Sequence, residues 1–559
     1  MGLIDRNIQP FNPTDDERYE MIKSTLREDN HIEDFNNVVE LLGPPEDIEK
    51  VGSKKKCKGV KVGIIGGGLS GLAAAFELRK LGFDITIFET NKERIGGRVY
   101  THYFDKKKKL YGELGAMRIP VSHETTWHYI NLFNLNTRPF IEFNENAFLY
   151  VRNIRVRNDF KGKNVMEKIY PEFNLNSWEK NIPWNELIDY ALGGQLIKLS
   201  PQIRREILEA KREYSKEIEG LGSLSIREVM EQMKLSEGAI QLISCINTVL
   251  SYFYYSSYIE NLQEEYVANY EFRYEVVGGM SNLPLAFYNS LMNKSPKEYS
   301  NIKDEYIGKV CWKGGHTVVS IEKCNKKKVN IKYCNEKSSE SISDKFDYVI
   351  CTIPFSSLRN ININPMFSTE KMQAIKELVY ISAQKTILLC RECFWEKGNS
   401  DEIIIGGASN TDLLIGSIWY PNYKNNYNKK EEVYKRKGVL LASYNMNEDA
   451  IRLGNMEPRS RIIKVKRDVE AVHGLTNNYL DSIVEDHKTI NWDNEKGFYG
   501  GFSNFMPSGQ KLFAYSSSVS EYDNRVYFAG EHTSLTHGWM QGALNSAMKV
   551  ANDIAKHCK

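Results

Sequence analysis

The chain has 559 residues, which is long enough for about three or four folding units with cores that need no disulfides or metal ions. Hydrophobic residues make up 41% and charged residues 26% of the chain, as in an ordinary globular protein. The net charge of +2 lacks the basic excess with which nucleic-acid and membrane-surface proteins meet phosphate groups. We therefore expect no nucleic-acid partner and no membrane partner.

The sequence shows no targeting segment and no membrane span. Its longest weakly polar run, residues 62–76, is rich in glycine and falls short of the roughly 18 apolar residues that a span requires. The first twenty residues lack the apolar core of a secretory signal. The nine cysteines are scattered without the spacing of a disulfide framework. These features predict a cytoplasmic protein.

A nucleotide-binding unit begins directly after a polar and charged segment. Residues 1–58 predict an N-terminal arm of short helices with a solvated linker. The β-branched run at 60–65 predicts a buried parallel strand, and the GGGLSG motif that follows it opens a predicted helix. A second predicted strand, residues 83–89, completes a β-α-β unit of about thirty residues.

The glycines of this unit have the spacing of a dinucleotide-binding fingerprint. Gly66 allows the tight turn, Gly68 lets the backbone approach a pyrophosphate, and Gly71 lets the helix pack closely on the strand. The start of the helix offers unpaired N–H groups to the phosphates. Glu89 ends the second strand, where its carboxylate can accept a hydrogen bond from a ribose hydroxyl. The unit therefore predicts nucleotide binding.

The remaining predicted elements form a helical stretch and then a series of strands. Residues 155–265 carry apolar residues at helical spacing and several N-cap signals, and they predict a helical insertion. Strand-like runs then lie at 316–321, 328–333, 346–351, 385–390, 438–443 and 525–529. A last amphipathic helix follows them. This order favours an α/β protein with an inserted helical region.

The motifs together resemble the flavin-containing amine oxidase superfamily. Four segments carry this resemblance: GGGLSG at 66–71, Glu89, RIGGR at 94–98 and VYFAGE at 526–531. Four others are more narrowly similar to L-amino acid oxidases: ELGAMRIP at 113–120, Lys385 before the Phe394–Trp395 pair, WYPN at 419–422 and HGW at 537–539. The resemblance covers nearly the whole chain from about residue 60, and it is weakest in the helical insertion and the arm.

The resemblance implies an α/β (α+β composite) fold. It comprises a Rossmann-like FAD-binding domain of the glutathione-reductase and amine-oxidase type, a mixed-sheet substrate domain and a helical domain. The expected boundaries are 1–58 for the arm; 59–98, 266–378 and 520–559 for the FAD-binding domain; 99–154 and 379–519 for the substrate domain; and 155–265 for the helical domain.

The resemblance also implies which residues bind the substrate. Arg118 would hold a substrate carboxylate through a bidentate fork that lysine cannot reproduce, and Tyr420 would add its hydroxyl to the same carboxylate. The backbone carbonyl of Gly538 would accept a hydrogen bond from the substrate amine, and Trp539 would flank that amine. Lys385 resembles the lysine that holds a water at flavin N5 and assists the reaction with O₂.

A further set of residues would contact the FAD. They are Gly66, Gly68, Leu69, Ser70, Gly71, Glu89, Gly97, Arg98, Ala116, Met117, Arg118, Val318, Trp492, Gly530, Glu531, Gly538, Trp539 and Met540. An arginine after the second glycine pair can clamp the pyrophosphate from the opposite side. Residues 530–540 contain no cysteine, so we expect non-covalent FAD, and no cluster of ligands has metal-site spacing.

The implied reaction is the FAD-dependent oxidative deamination of L-amino acids, with hydride transfer from the α-carbon to flavin N5. Its products are a 2-oxo acid, ammonia and hydrogen peroxide, and its partners are the L-amino acid and O₂. We also expect a homo-oligomer, a dimer. Three alternatives stay open: an amino-acid 2-monooxygenase that forms an amide, a polyamine or monoamine oxidase, and a flavin-binding scaffold without turnover.

Overall fold

A parallel sheet of five strands carries the glycine motif. The computed structural model describes residues 9–159, 161–325, 327–335, 340–422 and 434–558. The strand order across the sheet is Val310–Gly314, Asp84–Glu89, Lys61–Ile65, Tyr348–Cys351 and Val526–Phe528. Each strand pairs with its neighbour in parallel. The central strand is buried from Val62 to Ile65, as expected of a β-branched strand covered on both faces.

The helix that follows the glycine motif is buried along its whole length. It spans Leu69–Arg79, and the small side chains of Ala73, Ala74 and Ala75 let it pack closely against its neighbours. The C-terminal helix, Met540–His557, and the helix Asn282–Met292 contact it. The β-α-β unit predicted from the sequence is thus present. The glycine motif follows the end of its first strand and lies in the interior of the protein.

A second, mixed sheet of seven strands forms another wall of the cavity that is described below. Its order is Val484–Asn491, Ala383–Cys390, Gly438–Met446, Ser417–Trp419, Ala408–Thr411, Phe148–Val151 and Ile154–Arg157. The pair Ala408–Thr411 and Phe148–Val151 is parallel, and the other pairs are antiparallel. The strand Ala383–Cys390 is buried at every residue. The helices Asn447–Gly454, Pro458–His473 and Tyr479–Ile483 accompany this sheet.

Smaller sheets connect the two main ones. A four-stranded sheet has the order Ile342–Phe346, Lys328–Asn335, His316–Asn325 and Asn362–Asn364. A three-stranded sheet contains Ile119–Pro120, Arg273–Val276 and Thr137–Pro139. Two pairs complete the connections, Thr101–Tyr103 with Tyr111–Glu113 and Val379–Ile381 with Phe502–Asn504.

Short helices make up the region between the strands Ile154–Arg157 and Arg273–Val276. The α-helices are Lys163–Lys168, Trp184–Ile188, Pro201–Arg205, Lys216–Gly222, Ile226–Gln232, Glu237–Ile246, Thr248–Tyr252 and Tyr258–Tyr266. Ser200 caps Pro201–Arg205, and Ser225 with Glu228 forms a capping box at Ile226–Gln232, as their sequence signals indicate. The last of these helices, Tyr258–Tyr266, reaches the site.

The N-terminal segment packs against the rest of the chain. Its helices are Asp15–Glu28, Phe35–Leu42, Ile48–Val51 and Lys54–Cys57. Arg18 is buried and pairs with Glu124, and Arg204 of the helical region pairs with the buried Asp34 at 2.8 Å. The polar sequence did not indicate these contacts, because each depends on a partner more than a hundred residues away. No helix among the described residues is long and apolar enough to cross a membrane.

Candidate active site

A cavity of about 1160 Å³ extends from the glycine motif to the mixed sheet and the helical region. Most of the site residues predicted from the sequence line it. They are Gly66, Gly68, Leu69, Ser70, Glu89, Gly97, Arg98, Ala116, Met117, Arg118, Val318, Lys385, Trp492, Gly530, Glu531, Gly538, Trp539 and Met540. The two predicted residues that do not line it are Gly71 and Tyr420. Residues from almost the whole length of the chain therefore meet in one cavity.

The glycine loop forms a cradle that larger side chains would fill. A Cβ atom on Gly71 would lie 2.0 Å from the backbone oxygen of Gly66, so only glycine fits at this position of the first helical turn. The second glycine loop meets the first one, since a Cβ atom on Gly97 would lie 3.1 Å from Cα of Gly68. The buried hydroxyl of Ser70, at the start of the helix, has no hydrogen-bond partner among the described residues. The open helix start and the two bare loops fit a pyrophosphate.

Glu89 ends the second strand of the nucleotide-binding unit and lines the cavity beside the glycine loop. One of its oxygens accepts a hydrogen bond from the backbone N–H of Gly67 at 2.8 Å, and the other accepts one from Asn91 at 2.8 Å. Burial raises the pKa of this carboxyl, and the two backbone hydrogen bonds and Arg94 oppose that shift. The carboxylate therefore has a fixed orientation at the edge of the cavity.

Glu531 ties three segments of the cavity wall together. It pairs with Arg98 at 2.8 Å, and it accepts hydrogen bonds from the Ser503 hydroxyl at 2.6 Å and from the backbone N–H of Gly538 at 3.1 Å. Burial alone would raise its pKa, but Arg98, His537 and His532 lower the pKa of Glu531 to about 2. Arg98, which we expect to bind the pyrophosphate, therefore lies beside a carboxylate that is ionised at neutral pH.

Lys385 is buried in the middle of the cavity wall. Its Nζ donates to the backbone oxygen of Gly115 at 2.7 Å and lies 3.2 Å from Sδ of Met117. The same atom lies 4.4 Å from the centre of the Tyr444 ring. Burial lowers the pKa of Lys385 to about 7, against the opposing effect of Glu113. The charge of this amine can therefore change near neutral pH.

Arg118 lines the cavity and pairs with an acidic side chain. Its Nη1 donates to the two oxygens of Glu142 at 3.1 and 3.3 Å, and its Cζ lies 5.2 Å from the centre of the Trp419 ring. Glu142 also pairs with the fully buried Arg273 at 2.6 Å. Two guanidinium groups thus share one carboxylate. Arg118 and Glu142 line the cavity, and with the buried Arg273 behind them the three groups carry one surplus positive charge, which suits an anionic group of a ligand.

The family model for flavin containing amine oxidoreductases matches residues 69–555. The chain belongs to this family. The L-amino-acid oxidases of Gloydius halys and Bothrops moojeni are each 30% identical to it over 91% of this chain, and they are covered over 91% and 92% of their own lengths. The predicted family is confirmed, and so is the prediction of an amine oxidoreductase related to the L-amino-acid oxidases.

Solved structures confirm the fold. A putrescine oxidase bound to putrescine superposes with a TM-score of 0.65 at 16% identity, covering 89% of this chain and 98% of that one. A cyclohexylamine oxidase from Brevibacterium oxydans superposes with a TM-score of 0.63 at 15% identity and covers 89% of this chain and 99% of its own. The predicted fold class is therefore correct. The family supports a flavin cofactor, and the bare glycine cradle of the cavity fits its pyrophosphate.

Tyr420 needs a correction within this flavin site. Its hydroxyl bonds to Ser409 Oγ at 2.7 Å and to His473 Nε2 at 2.8 Å, and its side chain lies in a hydrophobic cluster outside the cavity. Neighbouring residues of an extended chain point to opposite faces, so the cavity-facing position belongs to Trp419. The structure does not place the Tyr420 hydroxyl with Arg118.

Several residues of the flavin site were not predicted from the sequence. Tyr444 and Asn410 of the mixed sheet line the cavity beside Trp419, and Glu142 and Arg273 complete the charge arrangement around Arg118. The period-two alternation of the strand at 417–419 could have indicated Trp419. No local signal marks Glu142 or Arg273, because their role depends on contacts between distant segments. No group of three or more metal-ligating side chains occurs among the described residues.

Proposed function

We propose that this chain is an FAD-dependent L-amino acid oxidase that forms 2-oxo acids, ammonia and hydrogen peroxide. The observation that carries the proposal is Arg118 at the cavity wall, whose partner Glu142 is shared with the buried Arg273, so that the three groups together carry one surplus positive charge. An α-amino acid brings a carboxylate for this charge, whereas a simple amine does not. The names of the relatives at 30% identity support the same substrate class.

The residues of this chain would bind and orient the two reactants. The loop from Gly66 to Gly71 would hold the pyrophosphate of FAD at the helix start, and Glu89 would accept from its ribose. FAD, when bound, accepts the hydride of the substrate α-carbon at N5 and passes the electrons to O₂. Arg118 would hold the substrate carboxylate and the Gly538 carbonyl its amine. With its carboxylate and its amine both held, the substrate would have its α-carbon oriented between them.

The proposed reaction requires little proton transfer by the side chains of this site. If the substrate amine enters in its neutral form, the α-hydrogen can leave as hydride without a strong general base. Glu142, the carboxylate paired with Arg118, is also held by Arg273 and is therefore not free to serve as such a base. Lys385 lines the cavity, and its charge can change near neutral pH because burial lowers its pKa to about 7. We assign it to the reaction with O₂.

A peroxide assay with the twenty L-amino acids tests the proposal. We expect peroxide with at least one L-amino acid, none with its D-enantiomer, and far less with the amine that its decarboxylation would give. Peroxide from simple amines in preference to amino acids would instead indicate a polyamine or monoamine oxidase. A bound flavin that no amino acid bleaches under anaerobic conditions would indicate a scaffold without turnover.

The purified protein is expected to be yellow and to release its FAD on denaturation. No cysteine occurs among the described residues that line the cavity, so the side chain most suited to a thioether bond to flavin is missing there. Acid or heat precipitation followed by chromatography of the supernatant checks this result. Flavin that stays with the precipitated protein would contradict the non-covalent assignment, and release of NAD in place of flavin would contradict the cofactor itself.

A further inference from the structure

One turn of the helix Tyr258–Tyr266 contacts both residues that flank Gly538. Glu264 Oε1 accepts a hydrogen bond from the indole Nε1 of Trp539 at 2.7 Å. Glu260 Oε1 lies 2.8 Å from Nδ1 of His537. Glu260 and Glu264 are four residues apart and therefore share one face of the helix, and both line the cavity. We call these two residues the carboxylate clamp.

The backbone between the two clamped side chains needs such support. Gly538 has a φ of +73°, in the left-handed region that glycine adopts without strain and other residues do not. Its N–H donates to Glu531 at 3.1 Å, which fixes one side of the residue. The direction of its carbonyl depends on the peptide that joins it to Trp539. Holding the Trp539 indole therefore restricts the rotation of that peptide.

The clamp is half-buried at the edge of the cavity, and each of its members has a second anchor. The other oxygen of Glu264 accepts from Asn269 Nδ2 at 3.0 Å, and Glu260 also accepts from the backbone N–H of Phe505 at 2.7 Å. Burial alone would lower the pKa of His537, but Glu260, Glu531 and Glu264 raise it. The carboxylates therefore favour the protonated form of His537, whose hydrogen bond to Glu260 is then charge-assisted and stronger than a neutral one.

We infer that Glu260 and Glu264 are positioning residues that aim the Gly538 carbonyl and the Trp539 ring at the amine of the substrate. The inference rests on the proposed function, which supplies the substrate amine that the Gly538 carbonyl would bind. The clamp belongs to the helical region between residues 155 and 265. This region thus takes part in recognising the reacting end of the substrate, as well as covering the cavity.

Two substitutions of Glu264 separate positioning from simple stability. Glu264→Gln keeps an oxygen that can accept from Trp539 Nε1, whereas Glu264→Met keeps the approximate volume and loses the acceptor. We expect Glu264→Met to raise KM for the best L-amino acid at least about tenfold and Glu264→Gln to stay within about threefold, since an unmade buried hydrogen bond costs about 1–3 kcal/mol. FAD content should stay normal in both, because the clamp does not contact the glycine cradle.

A carboxylic acid without an amine serves as the internal control. 3-Phenylpropionate can pair with Arg118 but offers nothing to Gly538, so its dissociation constant, read from the flavin absorption, should stay within about twofold in both variants. Gln263→Met controls for damage to the helix. Gln263 is a buried residue of the same helix that donates to the Ile207 carbonyl and does not line the cavity.

The outcomes distinguish this inference from the proposed function. Unchanged KM and kcat in Glu264→Met, or equal losses in Glu264→Gln and Glu264→Met, would overturn the clamp while wild-type oxidation of amino acids still stands. A parallel loss of 3-phenylpropionate binding would also overturn it, since it would show a general collapse of the cavity. A wild-type protein that oxidises no L-amino acid would overturn both.

Discussion

Arg118→Lys is expected to lower kcat/KM for the best L-amino acid by a factor on the order of 100 or more. Lysine keeps the positive charge but loses the planar fork that can bind both oxygens of a carboxylate. Losing one partner of a buried, charge-assisted pair costs about 2–5 kcal/mol, and each 1.4 kcal/mol is about tenfold. Because Arg118 lines the cavity and Arg273 adds a second positive charge beside Glu142, we expect the substitution to weaken binding of the substrate carboxylate. Steady-state peroxide kinetics measure it.

Arg138→Lys is the matched control for this variant. The Arg138 side chain is 13% exposed against 11% for Arg118, and it also pairs with a carboxylate, Glu275, at 2.6 Å. Arg138 does not line the cavity, so its conservative substitution should leave kcat/KM unchanged. In Arg118→Lys, FAD content should be normal and decarboxylated amines should gain relative to amino acids. Full FAD content with an unchanged kcat/KM would show that Arg118 does not bind the carboxylate.

Lys385→Met is expected to slow the reoxidation of the flavin by O₂ by a factor on the order of 100, with a smaller effect on its reduction by substrate. A buried cation stabilises the negative charge that develops as O₂ is reduced. Because burial lowers the pKa of Lys385 to about 7, the cation is present below that pH and is lost above it. The wild-type reoxidation rate should therefore fall as the pH rises through about 7, and the Lys385→Met rate should not follow this change.

Stopped-flow spectroscopy of the two half-reactions measures this prediction. Lys371→Met is a matched control, because burial also lowers the pKa of Lys371 to about 7. The Lys371 amine donates to the Ser517 carbonyl at 2.6 Å, and Lys371 does not line the cavity. Its substitution should leave both half-reactions unchanged. Slowed reduction with untouched reoxidation in Lys385→Met would contradict the assigned role.

The cofactor end of the site was predictable because its constraints are local. The clash that forbids a side chain on Gly71 involves Gly66, five residues earlier, and Glu89 reaches back to Gly67 of the same unit. A short segment of sequence therefore contains both partners of each contact. The same holds for the capping box of Ser225 and Glu228.

The substrate end was only partly predictable because its contacts join distant segments. Arg118 meets Glu142 and Arg273 through the three-stranded sheet, and a sequence pattern around any one of them does not indicate the others. Tyr420 was misplaced because a shift of one residue along an extended chain reverses the face on which the side chain lies. The mixed sheet turns Trp419 to the cavity instead.

Product analysis of a single aerobic reaction tests the proposed activity most directly. The protein is incubated with the L-amino acid that bleaches its flavin, and the 2-oxo acid, ammonia, hydrogen peroxide, amide and carbon dioxide are all quantified. Oxidative deamination predicts equal amounts of 2-oxo acid, ammonia and peroxide, with no amide. An amide and carbon dioxide in equal amounts, without free peroxide, would show an amino-acid 2-monooxygenase and contradict the oxidase.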